Sequence, residues 1–256
     1  MKKGIKSLGA YLPYHYLTRA ALGAAWGGKG GKGEKSVADV DEDSVTMAVE
    51  AAMGCFRFTK REDVNALYFA STTGPYAEKC HAALIAVACD LKDENVFTSD
   101  IMTSTRAGTN ALKSALDSVV ANPGQSVLVT AADARNGYPK SAQETGFGDG
   151  AAAFIVGTGD DLIAEVDHFT SVSEEINDYW RNAGDKYTLH AEGRFCDEEG
   201  YLREMKIVLK KFESETGTKA IDYDKVVLVA QNAKLQTKIA TKFGLDPEKL
   251  SDTLLL

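Results

Sequence analysis

Apolar residues in this chain form short continuous runs, separated by longer segments in which they recur at the spacing of one helix face. Short apolar runs are typical of buried strands, and recurrence at i, i+3 and i+4 is typical of amphipathic helices. The runs predict strands over residues 4–11, 65–73, 125–132 and 151–157. Helical spacing occurs over residues 45–53, 82–89 and 107–119. Strands that alternate with helices predict an α/β fold with a parallel-rich sheet.

A second, shorter series of elements follows residue 160. It predicts strands over Ile163–Phe169 and Lys225–Val229, and helices over Tyr201–Phe212 and Leu235–Phe243. We therefore place a boundary near residues 158–161 and predict two α/β domains, 1–160 and 161–256. The second series stops at the apolar residues Leu254–Leu256 without a polar tail. We expect this second domain to be incomplete and C-terminal residues to be missing.

The stretch Phe97–Leu112 has the pattern of a strand end, a tight turn and a helix start. Thr103, Ser104 and Thr105 prefer caps and turns, and small or apolar residues recur at helical spacing from Ala107 onward. This pattern predicts that Thr105 lies at a helix N-terminus, where free N–H groups favour developing negative charge. Two interpretations stay open. Thr105 is a nucleophile, which needs a base beside it, or the hydroxyls only cap a buried helix.

The net charge of the chain bears on which classes of partner it can bind. The chain carries a formal charge of −8, with a pI of about 5.1. We find no Lys/Arg cluster interleaved with aromatic residues, so we expect neither nucleic acid nor an anionic membrane as a general partner. A local basic site for a phosphate-bearing ligand remains open. Without a signal-type segment or an apolar run of membrane-spanning length, the expected location is cytoplasmic.

Three motifs that could carry chemistry have simpler interpretations. The glycine-rich segment Trp26–Gly33 lacks the Gly-Lys-Ser/Thr of a phosphate-binding loop, which indicates a surface loop. The acidic residues of 39–43 precede a helix, which favours capping over metal binding. The cysteines Cys55, Cys80, Cys89 and Cys196 show no metal-ligand spacing and are expected to be reduced thiols. Cys80 precedes His81 and is a candidate for a displaced nucleophile.

A series of motifs, each weak alone, occurs in a specific order. They are Gly9–Pro13, Glu34–Val37 with Asp41–Asp43, Pro75–Ala77, Ala107–Thr109, Phe147–Ala153, Asp178–Arg181 and His190–Phe195. In this order the chain resembles the hydroxymethylglutaryl-CoA synthase branch of the thiolase superfamily, close to ketoacyl-ACP synthase III, over essentially its whole length. The resemblance implies two similar α/β halves in a layered αβαβα arrangement, usually in a homodimer.

The resemblance also implies a mechanism and its residues. In the family a cysteine is acylated from an acyl-CoA, a glutamate forms a carbanion, and a histidine helps to bind the second acyl-CoA. By position these roles fall on Thr105, on Thr72, and on Val229 or Ala230. None of the three groups is retained. The positions implied in substrate binding are Lys234, Asn136, Gly137, Gly148 and His190.

Two functions from different classes follow from this pattern. The first is a hydroxymethylglutaryl-CoA synthase-like, acyl-CoA-binding protein of the Claisen-condensing acyltransferase class, with altered or lost cysteine chemistry. The second is a non-catalytic scaffold subunit that assembles with a thiolase and a zinc-ribbon/OB-fold acyl-CoA-binding protein. Neither needs a metal or a further cofactor, since acyl-CoA is the substrate or ligand. Asp100, His81 and His190 are the candidate bases for an activated Thr105.

Overall fold

The computed structural model describes residues 1–91, 95–102, 104–230 and 233–251. The strands are β1 (Lys3–Tyr11), β2 (His15–Thr18), β3 (Glu34–Val37), β4 (Val64–Ser71), β5 (Phe97–Met102), β6 (Ser126–Asp133), β7 (Gly150–Thr158), β8 (Ala164–Glu165), β9 (Tyr179–Trp180) and β10 (Leu189–His190). The α-helices are α1 (Arg19–Ala25), α2 (Ser44–Cys55), α3 (His81–Ala88), α4 (Ala107–Ala121), α5 (Ala142–Gly146), α6 (Gly193–Phe195), α7 (Arg203–Thr216) and α8 (Ala233–Phe243). Thr103 and Leu254–Leu256, named above, lie outside the described residues.

The chain forms two compact units. The first comprises Met1–Ala21, Lys35–Arg135 and Phe147–Asp167. The second comprises Leu22–Glu34, Asn136–Gly146 and the chain from His168 onward. The division into domains 1–160 and 161–256 stays a prediction. Within the described residues, no helix is both long enough and apolar enough to cross a membrane.

The first unit is built on a mixed sheet with the strand order β5-β4-β6-β7-β1-β8. β5, β4 and β6 are parallel neighbours, whereas β7 is antiparallel to both β6 and β1. The register places Ser71 opposite Met102, and Asp133 opposite Gly150. The carboxyl ends of β4, β5 and β6 and the start of β7 therefore meet at one edge of the sheet, here called the strand-end edge.

Helices cover both faces of this sheet. Successive side chains of a strand point to opposite faces, and in β4 Leu67 and Phe69 join one buried cluster while Ala66 and Ala70 join another. The first cluster includes side chains of α2 and α3: Met47, Ala48, Ala51, Ala82 and Ile85. The second includes the apolar stripe of α4: Ala107, Ala111, Ala115, Leu116 and Val119. The predicted α/β fold is confirmed. The four strands and three helices predicted before residue 160 are confirmed as β1, β4, β6, β7, α2, α3 and α4.

The start of α2 shows how the acidic segment is used. Asp43 Oδ1 accepts hydrogen bonds from Val45 N at 2.8 Å and from Thr46 N at 2.9 Å. Thr46 Oγ1 in turn accepts one from Asp43 N at 2.8 Å, which completes a capping box. The predicted capping role is confirmed at Asp43.

The elements after residue 160 depart from the predicted strand pattern. Of the strand expected over 163–169, only Ala164–Glu165 forms, and it pairs with β1 in the first sheet. The strand expected over Lys225–Val229 is wrong, because this segment makes only one isolated bridge, Val226 with Leu250. The two segments therefore form no second sheet within the described residues. The helix expected over 201–212 begins later, at Arg203, after a π-helical turn at Cys196–Leu202.

The segment 225–229 forms no strand because side chains occupy two of its carbonyl groups. Tyr201 Oη donates to the carbonyl of Val229, and Gln236 Nε2 donates to that of Leu228 at 3.2 Å. Side chains thus take up acceptors that a neighbouring strand would otherwise use. Leu228 and Ala230 still pack with α8 in the buried cluster of this unit, through Leu235, Ile239 and Ala240. The predicted helix over 235–243 is confirmed as α8.

Candidate functional site

Asp133 organises the hydroxyl groups at the strand-end edge. Its Oδ1 accepts hydrogen bonds from Ser71 Oγ at 3.0 Å and from Thr73 Oγ1 at 2.9 Å. Thr72 donates to the same oxygen twice, from its backbone N at 2.7 Å and from Oγ1 at 3.0 Å. These contacts form because β4 and β6 are adjacent parallel strands that end together. One carboxylate oxygen thus fixes the position of the Thr72 side chain.

Thr105 lies in the turn between β5 and α4 and is exposed. Ser104 makes the polar contacts of this turn: its Oγ accepts from Arg106 N at 3.1 Å, and its carbonyl accepts from Ala107 N at 2.9 Å. Within the described residues Thr105 makes no hydrogen bond to an imidazole or a carboxylate. Because β4 and β5 are parallel neighbours, Thr72 and Thr105 follow strands that end at the same edge. The structure therefore brings these two predicted residues to one edge of the first unit.

His81 and Asp100, two of the candidate bases, contact each other. His81 Nδ1 lies 2.9 Å from Asp100 Oδ2, and the backbone N–H groups of His81 and Ala82 also donate to this carboxylate at 2.8 and 2.7 Å. Tyr76 N donates to His81 Nε2 at 3.2 Å, which leaves Nδ1 as the protonated nitrogen. Both ring nitrogens and the carboxylate are thus engaged at the start of α3. Within the described residues, neither group makes a hydrogen bond to Thr105.

Gly148 and Asp149 hold a loop against the start of β7. Ser36 Oγ donates to the Asp149 carbonyl at 2.5 Å, and Ala38 N donates to Asp149 Oδ2 at 2.8 Å. A Cβ atom on Gly148 would lie 3.0 Å from Ser36 Oγ, so glycine permits this close approach. Burial raises the pKa of Asp149, opposed by its hydrogen bond from Ala38. Gly148 therefore has a packing role, whatever its part in binding.

The second unit brings together three other predicted residues. Asn136 O accepts a hydrogen bond from Thr188 N at 2.9 Å, and Gly137 forms a parallel bridge with Thr188. This pairing places His190 beside the segment 138–141, around a cleft of about 390 Å³. The cleft is lined by Tyr138, Pro139, Lys140, Ser141, Thr188, Leu189 and His190. The sequence predicts Asn136, Gly137 and His190 as binding residues but gives no signal for Lys140 and Thr188, since only folding pairs the two segments.

Lys234 lies in the first turn of α8 and is exposed. At the position implied for the family's histidine, Val229 is 78% exposed and Ala230 is buried. Neither residue has a polar side chain. Within the described residues, no group of three or more His, Cys, Asp or Glu side chains could hold a metal ion.

The cysteines differ sharply in accessibility. Burial raises the pKa of Cys55 to about 12 and that of Cys89 to about 11, so both stay protonated and inert at neutral pH. Cys196 is buried too, and burial raises its pKa. Cys80 is exposed, with its Sγ 3.7 Å from Thr98 Oγ1. Cys80 is therefore the accessible thiol among the described residues.

Comparison with known proteins shows which family the chain belongs to. The chain matches no model of a known protein family. Among curated proteins, it is 32% identical over 262 aligned positions to the hydroxymethylglutaryl-CoA synthase of Methanocella arvoryzae. That match covers 99% of this chain and 75% of the relative.

Solved structures supply the fold. A structure of HMG-CoA synthase complexed with CoA is similar with a TM-score of 0.85 and 20% identity, over 98% of this chain and 67% of that one. The 3-oxoacyl-(acyl carrier protein) synthase III of Pseudomonas aeruginosa has a TM-score of 0.84 at 20% identity, over 100% and 84% of the two chains. These similarities show a thiolase-like fold. With the sequence identity above, they establish that the chain belongs to the hydroxymethylglutaryl-CoA synthase family of acyl-CoA-condensing acyltransferases.

Proposed function

We propose that this protein binds an acyl-CoA but forms no acyl-enzyme, as an acyl-CoA-binding member of the condensing class with lost cysteine chemistry. The observation that carries this proposal is Thr105. The resemblance places the nucleophilic cysteine of the family at this residue, and within the described residues its hydroxyl contacts no imidazole or carboxylate. A hydroxyl without an adjacent base is a poor nucleophile. The thioester therefore stays on CoA.

Thr72 supports the same proposal at the position of the family's glutamate. Its hydroxyl donates to Asp133 Oδ1 at 3.0 Å. A threonine side chain also cannot hold and release a proton near neutral pH as a carboxyl group does. Neither Val229 nor Ala230, the two alternatives for the histidine position, has a polar side chain to orient a second substrate. We therefore expect no carbanion and no condensation.

Candidate ligand contacts are assigned within each unit separately. One structural relative is complexed with CoA, and an exposed lysine such as Lys234 suits a phosphate of such a ligand. We assign further contacts to His190, which lines the cleft of the second unit, and to Asn136 and Gly137, which pair with Thr188 beside it. In the first unit, Gly148, near the strand-end edge, is a separate candidate contact. Acyl-CoA is the ligand, and no metal or other cofactor is assigned a role.

A binding protein without condensing chemistry suits a role within an assembly. The proposed oligomer is a homodimer, or a hetero-oligomer with a thiolase or a zinc-ribbon/OB-fold acyl-CoA-binding protein. In that case the protein is a non-catalytic subunit that presents or retains acyl-CoA in the cytoplasm. Co-purification with such a partner would separate this role from that of an independent binding protein.

Restoring the missing thiol tests the proposal. Thr105→Cys, in a Cys80→Ser background, should take up a slow covalent label from radiolabelled acetyl-CoA, because a thiol near a helix start gains thiolate character. Ser114→Cys in the same background is the matched control, since Ser114 is also exposed but lies about two turns into α4, away from the helix start. Label on Thr105 without the substitution, or equal labelling of the two variants, would contradict the proposal.

A further inference from the structure

A cleft of about 370 Å³ lies at the other end of the first unit, where the chain passes from α2 to β4. It is lined by Phe56, Arg57, Phe58, Thr59, Lys60, Arg61 and Glu62. Cations and aromatic rings alternate in this segment, so the expectation that the chain has no such cluster is wrong here. The net charge of the whole chain is negative, so it gives no sign of this local cluster of cations.

One cation of the cleft is held in place by the fold. Arg61 Nε donates to the carbonyl of Cys89 at 2.8 Å, and Arg61 Nη2 lies 3.3 Å from Met53 Sδ. The guanidinium carbon lies 4.7 Å from the centre of the Phe56 ring, a cation–π contact. These three contacts fix the Arg61 guanidinium as one wall of the cleft.

The other two cations are free to meet a ligand. In the part of the chain that the structure describes, neither Arg57 nor Lys60 makes an ion pair or a side-chain hydrogen bond, and both are exposed. The lining carries three cations against the single carboxylate of Glu62. The Phe58 side chain is 85% exposed beside them. An open aromatic face next to unpaired cations suits a ligand with a planar ring and a phosphate.

We propose that this cleft binds a mononucleotide, with Arg57 and Lys60 on the phosphate and the base stacked on Phe58. A volume of about 370 Å³ lies near the lower end of the range of roughly 300–1,000 Å³ for ligand sites, which favours a mononucleotide over a larger cofactor.

Within the first unit, this cleft lies at the opposite end of β4 from Thr72. The cleft precedes the first residue of β4 and Thr72 follows the last, so a full strand length, about 23 Å at about 3.3 Å per residue, separates them. The proposal does not rest on the proposed function. Its failure leaves the acyl-CoA assignment untouched, and the reverse also holds.

Calorimetric titration with AMP, adenosine and inorganic phosphate tests the site. We expect saturable binding of AMP that exceeds binding of either part alone. Phe58→Leu should weaken it at least about fivefold, the lower limit for loss of one base–aromatic stack. The double variant Arg57→Gln/Lys60→Gln should weaken it by about tenfold or more, since it removes both free cations. Lys206→Gln/Lys210→Gln, an equal change of charge on α7, should bind AMP as the parent does.

Three results would overturn the proposal. The first is absence of AMP binding to the parent protein. The second is AMP binding that the cleft variants leave unchanged. The third is phosphate binding as tight as AMP binding, which would mean that the ring contributes nothing. Thermal melting of each variant checks folding. All five substituted residues are exposed, and Phe58→Leu is tested separately from the charge changes.

Discussion

Asp133 and the hydroxyl-rich end of β4 show what single residues contribute to the candidate site. The run Ser71–Thr73 and the loop that begins at Asp133 are both evident in the sequence as polar residues after apolar strands. Their contact is not, because it depends on β4 and β6 being neighbours in the sheet although about sixty residues separate them. Local patterns predict strand ends, and only the topology brings two of them together.

Replacing the shared acceptor should loosen this edge. Asp133→Asn keeps the size of the side chain but turns charge-assisted hydrogen bonds into neutral ones and brings two donors toward hydroxyl and N–H donors. We expect a loss of about 1–3 kcal/mol in the free energy of unfolding, measured by urea denaturation. Asp117→Asn, which affects only an exposed i,i+4 pair with Lys113, is the control and should change stability by less than about 0.5 kcal/mol. Equal losses in both variants would contradict the role assigned to Asp133.

Thiol reactivity is a second property decided residue by residue. At pH 8 an aromatic disulfide reagent should modify Cys80 quickly in the native protein. Cys55 and Cys89, whose pKa values burial raises to about 12 and about 11, stay protonated and inaccessible at that pH. Unfolding should expose all four cysteines of the chain. Cys80→Ser should abolish the fast native reaction, and a fast phase that survives this substitution would show that a second thiol is accessible.

Among the elements, helix starts were predicted better than isolated strands. The caps of α2 and the first residue of α4 follow from residues next to each other in the chain. The strand predicted over Lys225–Val229 has a short apolar run, which is typical of a buried strand, but Tyr201 and Gln236 donate hydrogen bonds to two of its carbonyls. Those two side chains come from other elements. Periodicity within the segment therefore could not reveal them.

The capping box of α2 gives a test at this scale. Asp43→Ala removes the acceptor for two N–H groups of the first turn, and should lower the free energy of unfolding by about 0.5–2 kcal/mol. Asp41→Ala removes an equal charge two residues earlier, from a side chain that is exposed, and should have a much smaller effect. Thermal melting of both variants measures the difference. Equal melting temperatures of the two variants would mean that the charge of the segment, and not the cap at Asp43, affects stability.

For the whole molecule, family membership establishes the fold but does not establish that the chain is catalytically active. Identity of 32% to a hydroxymethylglutaryl-CoA synthase accompanies a TM-score of 0.85 to a structure of such an enzyme with CoA. The ordered motifs allowed the sequence to predict this family, although the pairing of β8 with β1 was not anticipated. Whether catalysis persists depends on the side chains at a few positions on that fold. The proposed loss of catalysis depends on Thr72, on Thr105, and on Val229 or Ala230.

The decisive measurement compares radiolabelled acetyl-CoA on the unsubstituted protein before and after denaturation. A noncovalent ligand is released when the protein unfolds, whereas an acyl group on a side chain is retained. We predict saturable label on the native protein and none after denaturation. Label that survives denaturation and maps to Thr105 or to Cys80 would contradict the proposed absence of an acyl-enzyme.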